Sequence, residues 1–312
     1  MSNLTKIKGR LPSGIAFSEK GDTCIIGMNQ AGTTGNMQNN NAAFEAWALV
    51  AKAAGYTSVK LSENECIKEM DMTKSQKLHY YRFLYRVSRF QTGFDDWFTT
   101  SSELQKKSTN FENKVLSRDD LFINVPEQDA KSDSESPEAR MERRLVQDCK
   151  SLNSKLNLDI REYYQQLPVG LFGKSVTNKR AIFPQRCAAI DIWGIDGRIF
   201  HLIELKVKKN QNLGILSEVF FYACFIHDMY CQRHLERKDS AYSQKYKKQG
   251  GFLRGYHDLI EANIRSVVTH ILIEQEHPRL CQALAELNGC KLDGIRFDEN
   301  VKLLSEFEVK SK

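Results

Sequence analysis

The chain has no long apolar run, and this absence narrows the class of protein it can be. In its 312 residues, no hydrophobic stretch reaches the roughly 20 residues that a membrane-spanning helix needs. The opening segment is polar and basic, unlike a secretory leader. With 41% hydrophobic and 27% charged residues and no internal repeat, the composition is that of an ordinary globular protein. We therefore expect a cytoplasmic protein without a membrane partner.

The eight cysteines form no CxxC pair and no regular framework, which favours reduced thiols over disulfides. One stripe of a predicted helix carries Cys224, His227, Cys231 and His234 at helical spacing. A zinc site on this stripe is one interpretation. Its apolar neighbours favour the other interpretation, which is packing in the core.

The balance of charge is mildly basic, with a net charge of +6. Such a balance favours an anionic partner such as nucleic acid without requiring one. In one predicted helix Arg82, Arg86 and Arg89 alternate with aromatic residues. This spacing predicts an amphipathic helix with its arginines in solvent, and a nucleic-acid-binding face is the alternative.

The composition changes between Pro126 and Ala139, where acids and serines replace apolar residues. Such a stretch is typical of a solvated linker. We therefore predict a mainly helical N-terminal domain over residues 1–125, a linker over 126–137 and a second domain over 138–312. Nothing in the first domain identifies a reaction.

The second domain is predicted to combine helices with a mixed sheet. The serine before Pro137 indicates the start of a helix, which carries Glu138 and Glu142 beside its apolar stripe. Another helix follows Gly214 and is apolar nearly all round, so we expect it to be buried. Residues 266–274 are rich in β-branched side chains and are followed by a helix and a further strand. An α/β fold is the result.

Residues 188–209 form the most informative stretch, an apolar hairpin sequence that carries charged side chains. Its Asp196-Gly197 dipeptide predicts a tight two-residue turn between two strands. In that register Asp191 lies opposite Leu202 on the second strand. Apolar residues surround the charged ones on both strand faces, a pattern typical of a central strand covered on both sides.

Side chains alternate between the faces of a strand, so the register determines which charged groups meet. Asp191, Glu204 and Lys206 share one face, with Glu204 diagonal to Asp191 and within side-chain reach. A salt-bridged cluster is one interpretation of this trio. Because buried ion pairs often cost more in desolvation than they return, we favour a metal site.

This hairpin, with Asp191 on its first arm and Glu204-Leu205-Lys206 on its second, resembles the PD-(D/E)XK nuclease superfamily. An acidic helix before it and an apolar helix after it strengthen the resemblance, which covers roughly residues 137–274. The resemblance implies a restriction-endonuclease-like fold, with a mixed central sheet flanked by helices. It also implies a metal-dependent nuclease, a hydrolase of phosphodiester bonds acting in defence against foreign DNA, in repair or in nucleic-acid processing.

The resemblance assigns roles to the residues of the hairpin. Asp191 and Glu204 would hold Mg²⁺, or Mn²⁺ as a substitute, and the backbone carbonyl of Leu205 would add a ligand. Lys206 would orient or polarise the attacking water and help to neutralise the phosphate. A hard divalent ion that prefers oxygen ligands suits this chemistry, because it shields the phosphate and generates hydroxide near neutral pH.

Two helices add candidates to the site. Relatives often use an acid of the preceding helix, and we choose Glu142 over Glu138 because Glu142 lies beside the buried stripe. On the following helix Glu218 and Tyr222 are four residues apart and share a face, where relatives carry Gln-x-x-x-Tyr. Glu218 departs from that pattern. It would support the metal or the lysine, or it would mean that the helix has another register. The further alternative is a buried acid bonded to a neighbouring hydroxyl such as Ser217.

Positive residues around the hairpin are candidates for contact with the phosphate backbone, although each is also typical of a solvated surface. They are Lys179, Arg180, Arg186, Lys208, Lys209 and Lys248. The resemblance favours DNA over RNA as the substrate, and a homodimer would suit cleavage of both strands. The alternatives are a catalytically inactive nuclease-fold module that binds nucleic acid or protein, and an unrelated α/β protein. Gln166 has no spacing that ties it to the site.

Overall fold

The computed structural model describes residues 7, 12–65, 67–124, 136–184, 188–207, 213–232, 255–275 and 278–307. Within these ranges the protein is an α/β fold with two main sheets. In this part of the chain no helix combines the length and the apolar character needed to cross a bilayer. The predicted linker lies almost wholly outside the described residues, so the division into domains stays a prediction.

The N-terminal part contains a four-stranded sheet. Its strands, in spatial order, are β1 (Ile15–Lys20), β2 (Thr23–Met28), β3 (Ser58–Glu63) and β4 (Phe98–Thr100). β1 and β2 are antiparallel, whereas β2, β3 and β4 are parallel neighbours. The helices are α1 (Gln30–Thr33), α2 (Phe44–Ala53), α3 (Lys74–Gly93) and α4 (Ser102–Phe111), which continues as a π-helical turn over Glu112–Leu116.

The described N-terminal part contains more helical than strand residues, and its four-stranded sheet was not predicted. The predicted helices are present, but strands accompany them. For β1, the sequence signal of a strand is missing. β1 is largely exposed and its residues do not alternate in hydrophobicity, so the two-residue period that indicates a strand is absent from it.

The second part is built on the predicted mixed sheet. Its strands are β6 (Tyr163–Pro168), β8 (Ala189–Asp196), β9 (Ile199–Lys206), β10 (Ser266–Ile273) and β11 (Ile295–Phe297), with β12 (Lys302–Leu303) also paired to β10. Their spatial order is β6-β8-β9-β10-β11. β8 is antiparallel to both its neighbours, whereas β9, β10 and β11 are parallel. β5 (Leu121–Ile123) and β7 (Leu171–Gly173) form a separate two-stranded ribbon.

Helices cover both faces of this sheet. Those of the second part are α5 (Pro137–Gln147), α6 (Cys149–Leu156), α7 (Gly214–Ile226), α8 (Tyr256–Glu261) and α9 (Pro278–Leu287). α5 begins as predicted, with Ser136 capping the Ala139 N–H and Pro137 at the first position. α5 and α6 pack with Ile192 and Ile203 on one face. α7 is buried along its whole length against the other face and continues as a π-helical turn.

Helix α3 does not have the solvated arginine face that its sequence suggested. Arg82 and Arg86 are only 1% and 2% exposed. The Arg82 guanidinium lies over the ring of Phe221 in α7, 5.6 Å from its centroid. Arg86 pairs with Glu45 of α2, which also accepts a hydrogen bond from Ser217 in α7. The arginine face is buried because α2 and α7 pack on it, tertiary contacts that one helix sequence does not reveal.

The β8–β9 hairpin forms, but its register differs from the predicted one by two residues. Trp193 pairs with Leu202 and Asp196 pairs with Ile199, so the loop residues are Gly197 and Arg198. Gly197 has a φ of +57°, a conformation that side-chain-bearing residues rarely adopt. Asp196 instead continues the strand. Because the shift is an even number, the charged side chains stay on the predicted face.

Substitution of Gly197 tests the turn. A Cβ at this position meets no atom within 4 Å, so the cost of Gly197→Ala is conformational strain alone. We expect Gly197→Ala to lower the free energy of unfolding by about 1 kcal/mol. Gly197→Asn should lower it by less, since asparagine tolerates a left-handed backbone better. Urea denaturation measures both, and an alanine variant as stable as wild type contradicts the assigned turn.

Candidate functional site

The candidate site lies where β8 and β9 separate. Their ladder ends at the pair Ile192 and Ile203, and the next position brings Asp191 opposite Glu204. The Asp191 N–H donates to Glu204 Oε1 at 3.2 Å, and the Leu205 N–H donates to Asp191 Oδ2 at 3.1 Å. Each carboxylate is thus held by the backbone of the opposite strand. The two acids meet directly across the strands, not diagonally as predicted.

Lys206 lies on the same face, and its ammonium is surrounded by carboxylates from three elements. Its Nζ is 3.3 Å from Glu218 Oε2, 3.5 Å from Glu138 Oε1 and 3.9 Å from Glu204 Oε2. The side chain of Lys206 is 11% exposed, and those of Glu204 and Glu218 are 1% exposed. Little water is present to screen these charges, so the one ammonium interacts strongly with several carboxylates.

Gln166 of the edge strand β6 holds a further acid at this place. Its Nε2 donates to Glu142 Oε2 at 2.8 Å, and Glu142 is 4% exposed. Gln166 lies between the paired residues Gln165 and Leu167, opposite Asp191, with a φ of +53°. A non-glycine residue in this left-handed conformation is strained, and such strain clusters at functional sites. No sequence pattern ties Gln166 to the site, because backbone strain has no signature in the sequence.

Burial and mutual repulsion oppose ionisation of these acids. Desolvation raises the pKa of Asp191 to about 6, against the opposing charge of Lys206 and with a further rise from Glu218. Burial and then the charge of Asp191 raise the pKa of Glu142 to about 8, while the glutamine amide lowers it. Burial, followed by the charges of Asp191 and Glu218, raises the pKa of Glu204 well above its usual range. Without a further cation, part of the cluster keeps its protons at neutral pH.

Lys206 and Tyr222 are titratable donors beside these acids. Burial alone would lower the pKa of Lys206, but Glu218 and the other carboxylates raise it well above the ordinary lysine value. Burial, with a contribution from the charge of Glu218, raises the pKa of Tyr222 well above its usual range. The Tyr222 hydroxyl is buried, and it has no hydrogen-bond partner among the described residues. It is therefore available to donate a hydrogen bond to an acceptor such as water or a phosphate oxygen.

A glutamine of the N-terminal part, Gln38, also reaches this cluster. Its Nε2 donates to Glu218 Oε1, whose other oxygen faces the lysine. The backbone of Gln38 lies against the start of α7, since a Cβ on Gly214 would be 2.2 Å from the Gln38 carbonyl oxygen. Ser217, the alternative partner considered for Glu218, donates instead to Glu45 Oε2 at 2.8 Å. No motif or spacing in the sequence indicates Gln38.

The residues predicted to contact the phosphate backbone are only partly described. Lys179 and Arg180 are exposed on the loop between β7 and β8. Within the described chain, no hydrogen bond or ion pair joins either of them to the acidic cluster. The other candidates lie outside the described residues, and they are Arg186, Lys208, Lys209 and Lys248. Their contact with nucleic acid stays a prediction.

The cysteine and histidine stripe lies along α7 and its π-helical continuation. Cys224 is fully buried, and His227 packs against Gly294. Burial lowers the pKa of His227. His234 lies outside the described residues. Cys224 and His227 are therefore packed in the protein core and the half-buried Cys231 packs against it, which is the interpretation that their apolar neighbours favoured.

The donor chemistry of the acidic cluster fits a hard divalent cation. Asp191 and Glu204 each have a second oxygen that their backbone hydrogen bonds do not use. Carboxylates outnumber the ammonium, and burial makes this excess of negative charge costly. In the described part of the chain, no three Asp, Glu, His or Cys side chains form a ready ligand set. A pair of carboxylates still suits Mg²⁺, which usually keeps several waters and takes only one or two carboxylates from the protein.

Replacement of Glu142 by glutamine should change stability in a pH-dependent way. The pKa of Glu142 rises from 4.5 to about 8 on folding, so the folded protein binds this proton more tightly than the unfolded chain does. That contribution is present at low pH and is lost as the pH rises through about 8. When the pH is raised from about 5 to about 9, the free energy of unfolding of wild type should fall by on the order of 2 kcal/mol more than that of Glu142→Gln.

Urea denaturation in EDTA at these two pH values measures this difference. Glu103→Gln, at an exposed position of α4, is the matched control and should differ from wild type by the same amount at both pH values. A Glu142→Gln difference that is equally constant contradicts the assigned protonation of Glu142.

Comparison with known proteins adds no relative to this description. Protein-family models, curated proteins and solved structures give no match to the chain. The function proposed below therefore rests on the geometry and chemistry of the acidic cluster.

Proposed function

We propose that this protein is a Mg²⁺-dependent nuclease with a restriction-endonuclease-like fold that hydrolyses phosphodiester bonds in DNA. The observation that carries the proposal is the meeting of Asp191 and Glu204 across two strands, with Lys206 on the same face. The order of the surrounding elements supports it. An acidic helix precedes the hairpin, a buried helix follows it, and a parallel strand extends the sheet, as the resemblance to the PD-(D/E)XK superfamily implies.

The charge of the cluster supports a cation-dependent reaction. Desolvated carboxylates that repel one another need positive charge, and Lys206 provides only one ammonium for several of them. On this proposal Asp191 and Glu204 hold the metal, which supplies a nucleophile near neutral pH and shields the phosphate. Lys206, which the acids keep protonated, binds a non-bridging phosphate oxygen or orients the attacking water. Tyr222 donates its free hydrogen bond to water or phosphate.

The substrate follows from charge and from the resemblance. A phosphodiester brings negative charge to a cluster that already carries an excess, so the metal and Lys206 have to offset both. DNA is proposed over RNA because the superfamily that the sequence resembles acts mostly on DNA. The basic residues at and near the hairpin would bind the backbone on either side of the cleaved bond. A homodimer would bring two such sites to the two strands.

Cleavage assays test this proposal directly. Plasmid, linear duplex, single-stranded DNA and RNA are incubated with the protein in Mg²⁺ or in EDTA. We expect cleavage of DNA in Mg²⁺ and none in EDTA. Asp191→Asn and Lys206→Ala should each lower the rate by roughly 100-fold or more, because each removes a charge that acts on the transition state.

Asp196→Asn is the matched control for Asp191→Asn. Asp196 is on the same strand, but it is exposed at the far end of the hairpin, so its replacement should leave the rate unchanged. If no substrate is cut in an EDTA-sensitive manner, or if both site variants cut as wild type does, the catalytic proposal is wrong. The resemblance would then indicate a catalytically inactive nuclease-fold module that binds nucleic acid or protein.

Metal binding has a readout that does not depend on activity. Mg²⁺ that binds the folded protein alone should raise its Tm, by roughly 2 to 4 °C at saturating concentration. The rise should be larger near pH 8 than near pH 5, because protons compete for carboxylates whose pKa values are raised. Asp191→Asn should abolish the rise and Asp196→Asn should retain it. A Tm that Mg²⁺ and Mn²⁺ leave unchanged contradicts the assigned cofactor.

A further inference from the structure

A series of hydrogen bonds leads from α3 to Glu218, and in each of them the residue nearer α3 is the donor. Arg82 Nη2 donates to Asn36 Oδ1 at 3.1 Å, and Asn36 Nδ2 donates to Gln38 Oε1 at 2.8 Å. Gln38 Nε2 then donates to Glu218 Oε1. A guanidinium has donors and no acceptor, so Asn36 has to turn its oxygen towards Arg82. Each amide in turn presents its NH₂ group to the next residue, and Glu218 is required as the final acceptor.

The segment that carries Gln38 is fixed against α7 by its backbone as well as by its side chains. Only glycine fits at position 214, because a Cβ there would be 2.2 Å from the Gln38 carbonyl oxygen. Gly214 is the first residue of α7 and Glu218 is one turn further on, so the backbone contact places the amide beside the carboxylate. Arg82, the first donor, is itself seated over the ring of Phe221 in α7. The geometry thus has two independent anchors.

Glu218 connects this series of bonds to the lysine of the site. One of its oxygens accepts from Gln38, and the other is 3.3 Å from Lys206 Nζ. The side chain is 1% exposed, so water does not replace either donor. Without the Gln38 amide, neither buried oxygen of the carboxylate would accept a hydrogen bond from the described residues, and the carboxylate would be free to turn away from the lysine.

We propose that Gln38 is a positioning residue of the acidic site, one that fixes the Glu218 carboxylate and through it the Lys206 ammonium. The site is then assembled from both parts of the chain, with the N-terminal part supplying an amide to the second. This proposal rests on the proposed nuclease function for its effect on the reaction. The contact between Gln38 and Glu218 and its effect on folding are independent of that function.

The experiment uses the full chain and compares Gln38→Leu, Glu218→Leu and the double variant carrying both changes, because leucine at position 218 leaves no acceptor for the Gln38 amide. Gln282→Leu, at an exposed position of α9, is the matched control. Thermal unfolding in EDTA gives a double-mutant cycle. Because both changes break the same contact, the double variant should lose less Tm than the sum of the losses in the two single variants. The difference should be about 2 °C or more. Gln282→Leu combined with Glu218→Leu should be additive.

Cleavage kinetics in Mg²⁺ then separate positioning from binding. Gln38→Leu should lower kcat by about 10- to 100-fold and leave KM within about twofold, as expected of a residue that orients a reacting group without touching the substrate. Gln38→Glu, which opposes two carboxylates, should be at least as impaired. Adding Glu218→Gln to Gln38→Glu restores an amide-to-carboxylate hydrogen bond and should recover stability but not kcat, because the charge has moved away from Lys206.

The outcomes distinguish this proposal from the proposed function. Additive Tm losses in the cycle overturn the positioning contact, whatever the activity. A coupled cycle with unchanged kcat in Gln38→Leu overturns the effect on the site. If wild type cuts nothing, the nuclease function is wrong and with it the effect on kcat, while the cycle still decides whether Gln38 positions Glu218.

Discussion

The arrangement of the second sheet depends on one constraint, the need to neutralise several buried carboxylates around a single ammonium. Lys206 Nζ lies within 4 Å of acids from β9, α5 and α7, so strands and helices that are distant in sequence meet at this one charge. In a poorly hydrated environment such charges interact strongly and are costly if left unpaired. Removing the lysine would leave an uncompensated negative cluster in the protein. The cluster therefore lowers the stability that the sheet would have with apolar residues in these positions, and a functional role accounts for it better than a purely structural one.

The sequence predicted the parts of this arrangement that depend on local periodicity. Strand alternation alone placed Asp191, Glu204 and Lys206 on one face, and that conclusion is insensitive to an even error in register. The predicted register was wrong by two residues. The Asp-Gly preference predicts a turn at Asp196 and Gly197, whereas Gly197, with its positive φ, forms the turn together with Arg198. The helix start at Pro137 and the strand at 266–273 depend on equally local signals, and both were predicted.

The sequence could not predict the features that depend on contacts between distant segments. The arginine face of α3 has the pattern of a solvated face, and it is the packing of α7 and α2 on it that buries Arg82 and Arg86. The left-handed backbone of Gln166 depends on its place opposite Asp191 in an edge strand, and glutamine has no propensity that signals it. Gln38 lies 180 positions before Glu218 in the chain, and nothing in its neighbourhood resembles a motif.

The glutamate at position 218 can be understood from the same contacts. The resemblance led us to expect a glutamine there, and a neutral amide would bring no charge to the lysine. In this chain the residue is a carboxylate, and an amide meets it from Gln38 on the side away from Lys206. Since the donor series that begins at Arg82 ends in an NH₂ group, an amide at position 218 would have to offer its oxygen to Gln38 and its own NH₂ to the ammonium, a donor facing a donor. A carboxylate accepts a hydrogen bond from Gln38 and forms an ion pair with Lys206. The identity of residue 218 and the packing of the N-terminal part on α7 are thus consistent with each other in a way that neither segment alone would require.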